Sequence, residues 1–266
     1  MRKKRLLITL LSIMMTILLV CGCSAEGVKI KYEPKEGDKL VVDAHMVMSQ
    51  SSGDVESMSM DMNMGLSSTY TKVSNDEIVS EQQYDSITGN MNMLGQTIDF
   101  ETTPEMKEVF DKIKSAKITI TQDGKGNVKD MKVDGIDEIS EDSFDFSSYS
   151  SEASSNAALF DDVNFKEGET IEIPLKKLID KSTATQLGID DNAKIKIKAT
   201  KVTDKIVEGE AVTTNLKSEN AKFDLKLNFT VDVKKGLCTN LNYDIKIKAD
   251  EISEMTMKLD MKMKLQ

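Results

Sequence analysis

The run Met58-Ser59-Met60-Asp61-Met62-Asn63-Met64-Gly65-Leu66 decides the fold class. Every second residue is apolar, and the residues between are polar or small. Successive side chains on a strand point to opposite faces, so a period of two describes a half-buried strand. A helix needs apolar residues three and four apart. The same alternation recurs on either side. Leu40, Val42, Ala44, Met46 and Met48 share one parity, as do Ala193, Ile195, Ile197 and Ala199. Phe223, Leu225, Leu227, Phe229, Val231 and Val233 follow, then Leu241, Tyr243, Ile245, Ile247 and Ala249. Met255, Met257, Leu259, Met261, Met263 and Leu265 complete the set. Alternation over this length predicts antiparallel strands with one dry and one wet face.

Turn chemistry separates the strands. Asp123-Gly124-Lys125-Gly126 and Lys234-Lys235-Gly236 read as hairpin turns in which glycine supplies positive φ. Helical signals are few. Thr103-Pro104-Glu105 offers a capping hydroxyl, a proline at the first position and an acid at the positive helix end. Met106, Val109, Phe110 and Ile113 then make a stripe suited to lying on a sheet face. A shorter helix is expected from Pro174 through Leu178 and Ile179.

A weak internal repeat runs through this pattern. Lys35-Glu36-Gly37-Asp38 recurs as Lys166-Glu167-Gly168-Glu169. Thr71-Lys72-Val73-Ser74, followed by Ile78-Val79, recurs as Thr200-Lys201-Val202-Thr203, followed by Ile206-Val207 with one residue deleted. Between the halves, Ser140 to Ser155 carries eight serines plus acids, the composition of a linker. The expected organisation is an N-terminal β repeat over 30–139, a linker over 140–158 and a C-terminal β repeat over 159–266. Both repeats belong to one continuous domain. Chance self-similarity of β sequences is the alternative to duplication. The fold class expected is mainly β with a few short helices, built as an antiparallel curved sheet or half-barrel. Separate packed sheets are the other arrangement compatible with the pattern.

Met1-Arg2-Lys3-Lys4-Arg5 is a charged leader, and Leu6 to Val20 is apolar except for Thr9, Ser12 and Thr16. That stretch has the anatomy of a secretory signal and is too short for a comfortable membrane span. It ends Val20-Cys21-Gly22-Cys23-Ser24, and an aliphatic residue at −3 with glycine at −1 before Cys23 resembles the lipobox of bacterial lipoproteins. The resemblance implies a signal peptide over 1–22, diacylglycerol on Cys23 and a lipidated tether over 23–29. Two acyl chains such as palmitate anchor stably where one is marginal. The expected location is therefore the extracytoplasmic face of a bacterial membrane. An uncleaved anchor helix or a plain signal peptide is the alternative.

The body also resembles a group of uncharacterised bacterial lipoproteins defined only as a domain of unknown function. The resemblance rests on the "GD" strand opening Lys35 to Leu40, the long Thr/Met-rich strand Ser57 to Thr71, the "DGKG" hairpin within Ile118 to Gly135, and the second opening Lys166 to Thr170. It implies a β-rich fold and carries no activity or catalytic residue with it.

Charge and composition remove several functions. The chain holds 35 Lys and Arg against 45 Asp and Glu in 266 residues. Removing residues 1–22 takes away four basic side chains and no acid, leaving a net charge of −14. Nucleic acid is excluded as a partner, because phosphate contacts need clustered Lys and Arg. One histidine and no tryptophan leave little room for imidazole catalysis or aromatic sugar platforms. His45 sits on the polar parity of its strand and has no Ser or Cys partner to form a nucleophilic pair. Asp123 to Asn127 superficially resembles a calcium loop, but Lys125 at the third position and Asp134 at the twelfth reject it. Asp161-Asp162 and Asp190-Asp191-Asn192 read as turn formers. Cys238, the one cysteine after Cys23, reads as a small buried hydrophobe. No catalytic residue, metal site or cofactor is assigned, and an enzyme is not expected.

What stands out is methionine. Fourteen follow Cys23, mostly in Met-x-Met steps. Thioethers suit Cu(I), but alternate residues on one strand sit about 7 Å apart, so a site would need sulfurs from neighbouring strands. Unbranched thioethers also repack around variable apolar ligands, and they fill ordinary cores equally well. The candidate ligand-binding residues are Met58, Met60, Met62, Met64, Met255, Met257, Met261 and Met263. The function expected is a non-catalytic envelope lipoprotein binding an apolar or lipid-like ligand. Its alternatives are an envelope interaction module with a filled core and a methionine-rich Cu(I) protein.

Overall fold

The computed structural model describes residues 27–52, 55–123, 128–135, 160–174, 194–217, 221–249 and 253–266. The expected signal peptide over 1–22, Cys23, the Gly124-Lys125-Gly126 turn, the expected serine-rich linker and the helix expected beyond Pro174 lie outside the described residues.

The chain is mainly β, and its strands are antiparallel throughout. In order they are β1 (Val28–Lys29), β2 (Lys39–Ser52), β3 (Val55–Val73), β4 (Glu77–Met93) and β5 (Gln96–Asp99), then helix α1 (Pro104–Ser115). β6 (Lys117–Asp123), β7 (Val128–Asp134), β8 (Asn164–Phe165) and β9 (Thr170–Pro174) follow. The series ends with β10 (Lys194–Val202), β11 (Ile206–Lys217), β12 (Ala221–Asp232), β13 (Leu237–Ala249) and β14 (Ser253–Leu265).

One sheet runs β7-β6-β4-β3-β2-β14-β13-β12-β11-β10-β9, with β5 added to β4. It is curved and not closed into a barrel, and β1 and β8 form a separate small pair. The middle of the sheet is the β2–β14 ladder, in full register from Ser52↔Ser253 to Leu40↔Leu265. That ladder welds two halves that are otherwise successions of hairpins.

The halves repeat the same local hydrogen bonds. Gly37 N–H donates to Tyr70 O, and Gly168 N–H to Ala199 O, each at 2.8 Å. Ser74 N–H donates to Glu77 O and Thr203 N–H to Ile206 O, each at 2.9 Å. A bulge follows Tyr70 on β3 and another follows Ala199 on β10. Gly37 and Gly168 sit at φ +90° and +78°, which only glycine adopts without strain. The one-residue deletion expected between the repeats is absent. Val73 pairs Ile78 as Val202 pairs Val207, so Ile78 corresponds to Val207 rather than to Ile206.

Helix α1 lies where expected but is held differently. Its N-cap, Thr103, makes no side-chain capping bond. The preceding turn is organised instead by Asp99, whose Oδ1 accepts from Glu101 N–H, Thr102 N–H and the Thr102 hydroxyl. Those bonds, the Thr102 hydroxyl first, hold its carboxyl below the usual range. The helix runs beside β4 between the stretches that pair with β5 and β6, where Gln83 Nε2 donates to Lys114 O at 3.0 Å. Phe110 and Ile113 are buried, whereas Val109 stays 37% exposed, so the stripe is narrower than the sequence suggested.

One end of the apolar sheet face is sealed. Phe160, Phe165 and Phe229 stack with ring centroids 4.2 to 5.7 Å apart, and each is buried. Ile30 N–H donates to Val163 O and Asp162 N–H to Ile30 O, clasping the segment after β1 to the loop before β8. That segment crosses the β12–β13 turn so closely that a Cβ on Gly236 would lie 1.8 Å from the Lys31 carbonyl oxygen.

Candidate functional site

The register builds the methionine face row by row. Met91, Met60, Met48, Met257 and Ile245 lie side by side across β4, β3, β2, β14 and β13. The next row holds Gly89, Met62, Met46, Leu259 and Tyr243, and the one after it Ile87, Met64, Ala44, Met261 and Leu241. Directly opposed residues on antiparallel strands have Cβ atoms about 4.5–5.5 Å apart. All eight candidate methionines therefore share one face. Their two strands are not neighbours, because β2 lies between them. Met46 and Met48 complete the rows from β2, and Met91 and Met93 extend them onto β4. These four were visible in the sequence as Met-x-Met steps, but only the register shows that they belong to the site.

Burial along the face is graded. Met62, Met261 and Met263 are buried, as are Met46 and Leu66. Met48, Met58, Met60, Met64, Met91, Met255 and Met257 are half-buried, and Met93 is 43% exposed. The face is thus closed at the aromatic end and incompletely covered at the end carrying Met58, Met91 and Met255. Apolar surface that stays partly uncovered across several adjacent strands is a candidate binding surface.

The remaining candidates fall outside the methionine rows. His45 Nε2 and Asp61 Oδ1 lie 2.9 Å apart on the polar side, 43% and 52% exposed. Cys238 is buried with its Sγ 3.4 Å from Asn240 O, and burial pushes its thiol pKa up. It is an unreactive packing residue. Asp161 and Asp162 lie inside the turn closed by Val163 N–H donating to Phe160 O, and Asp161 also accepts from the distant Tyr32 N–H at 2.8 Å. Among the described residues no group of three or more His, Cys, Asp or Glu is placed to hold a metal ion. A hollow of about 500 Å³ beside α1 is charged and open, lined by Lys107, Glu108, Asp111 and Lys112 among others, and is remote in character from the methionine face.

Fold and site together define an open, curved, antiparallel β-sheet protein with one continuous apolar face. No protein-family model and no curated protein matches the sequence. The structure is similar to lipovitellin, solved in a study of lipid–protein interactions, with a TM-score of 0.51 at 6% identity. That match covers 88% of this chain and 26% of lipovitellin, so the chain spans about a quarter of the protein it matches. An outer membrane channel from Pseudomonas putida F1 aligns with a TM-score of 0.25 at 5% identity, covering 91% of this chain and 98% of the channel, and nothing rests on it.

Proposed function

We propose that this protein is an exported lipoprotein, anchored through Cys23, whose methionine face binds an apolar, lipid-like ligand without catalysing a reaction. The observation that carries the reading is the half-buried row Met91–Met60–Met48–Met257 on a face sealed at its far end. Methionine loses little by repacking around different chains, so such a row tolerates ligands of variable shape. The sheet shared with lipovitellin supports it by analogy of fold alone. An interaction module with a filled core accounts for the aromatic end but leaves the open methionine end without a purpose.

The test is native mass spectrometry on the body from Ser24, purified without detergent and then incubated with lipid vesicles. A reproducible extra mass, released on denaturation, is expected. Met60→Glu, on a half-buried position, should remove it while circular dichroism still reports the folded sheet. A bare polypeptide mass under both conditions would sink the reading. A second reading, Cu(I) binding, draws on the same row, because adjacent strands bring thioethers together as one strand does not. An added mass of copper in place of lipid would select it.

A further inference from the structure

The inner face crosses eleven strands, from Met131 on β7 to Ile171 on β9, and none of its described residues is Asp, Glu, Lys, Arg or His. Its polar residues are uncharged, and four cluster in the N-terminal half. Ser68, Ser80, Gln82 and Gln122 are all buried on this face, with Ser68 opposite Gln82. The bulge at Asp85, between the pairs Gly65↔Ser86 and Leu66↔Tyr84, puts Ser80 and Gln82 on the apolar side of β4.

The other half shows that the fold does not require these groups. By the matching hydrogen bonds and pairings, Ser68, Ser80, Gln82 and Gln122 correspond to Ile197, Gly209, Ala211 and Val231. Ile197, Ala211 and Val231 are buried apolar residues. Ser68 is 0% exposed, and its hydroxyl has no hydrogen-bond partner among the described residues. A buried hydroxyl without a partner is unfavourable where an aliphatic side chain fits, so its presence calls for a group to bond.

Resting on the lipid-binding reading, we infer that the ligand is a neutral lipid whose uncharged ester or hydroxyl group is held by Ser68 inside the N-terminal half. A lipid that only dipped its chains into the methionine end would leave Ser68 unsatisfied. One that brought a carboxylate or phosphate to Ser68 would bury a charge that no side chain on the face balances, which is strongly disfavoured. An ester carbonyl accepts from the Ser68 hydroxyl and carries no charge, with its chains running along β3 towards Met60.

The experiment offers the body from Ser24 phosphatidylcholine vesicles doped separately with dioleoylglycerol, oleic acid or phosphatidylglycerol, and reads retained lipid by native mass spectrometry. Selective retention of dioleoylglycerol is expected, with at least tenfold weaker retention by Ser68→Ala. That variant should melt no lower than the parent, because an unpartnered hydroxyl has been removed. Retention of oleate or of either phospholipid at equal or greater occupancy overturns the neutral-lipid inference and leaves a lipid binder standing. Undiminished retention by Ser68→Ala overturns the role of Ser68. No retained lipid of any kind overturns both readings.

Discussion

Tyr32 and Tyr70 share a single hydrogen bond, hydroxyl to hydroxyl at 2.7 Å, that ties the segment after β1 to the bulged end of β3. Burial raises both phenols above the ordinary tyrosine range, Tyr70 to about 12 and Tyr32 further. A folded-state pKa above the unfolded one means the unfolded chain releases its proton first. The stabilisation is therefore complete below pH 10 and lost as pH rises through about 12. Two units at Tyr70 amount to about 3 kcal/mol. Circular dichroism between pH 9 and 12 should show cooperative alkaline unfolding, shifted to higher pH in the Tyr32→Phe/Tyr70→Phe double variant. Coincident curves would mean that other groups drive the transition.

The reading of the chain as two copies of one β unit predicts matched costs at matched positions. Gly37→Ala and Gly168→Ala should each lose about 1–2 kcal/mol, from left-handed backbone strain alone, since neither Cβ would meet another atom within 4 Å. Urea unfolding of the two variants checks this. Losses differing severalfold would show that the two turns are not equivalent.

The two ends of the apolar face should respond unequally to truncation. Phe229→Ala leaves a hole beside Phe160 and Phe165 and should cost about 3–5 kcal/mol. Met60→Ala, at a half-buried position, should cost about 1 kcal/mol. Equal losses in denaturant titrations would show the methionine end to be packed as tightly as the aromatic one.

In the body from Ser24 the single thiol, Cys238, should stay silent to Ellman's reagent at pH 8 until the protein unfolds, because it is buried and its pKa raised. Rapid labelling of the folded protein would show that the β12–β13 hairpin opens. In the full chain, Cys23→Ser should abolish incorporation of an alkyne-palmitate label and release the protein from membranes. Persistent labelling would move the anchor elsewhere.

The faces of β2, β3, β10, β12, β13 and β14 were legible in the sequence because each alternates over its central stretch, with the bulges of β3, β10 and β13 confined to their ends. β4 was not, since its bulge at Asp85 shifts the parity midway and Ser80 and Gln82 look like solvent-facing residues. The methionine rows could be anticipated only in part. Met60 and Met257 each sit on a readable stripe, but Met48 comes between them because β2 pairs with β14 some two hundred residues later in the chain, a contact that no local pattern encodes. Ser68 was hidden for a similar reason. Its burial arises from its place in the sheet, and its chemistry argues for the surface. Thr103 misled in the opposite sense, offering a capping hydroxyl in a turn that Asp99 organises first.

A closed barrel has its radius fixed by strand number and stagger. Here the hydrogen-bonded path ends at β7 on one flank and at β9 on the other among the described residues. No ring of ladders sets a circumference, so changing the curl of the sheet alters the gape between its flanks without breaking a strand pairing. The opening at the methionine end is in that sense elastic. Its width follows from the balance between side chains pressing together across the face and the stiffness of the β2–β14 weld. A bulkier occupant of that face would be met by unrolling the sheet rather than by tearing it.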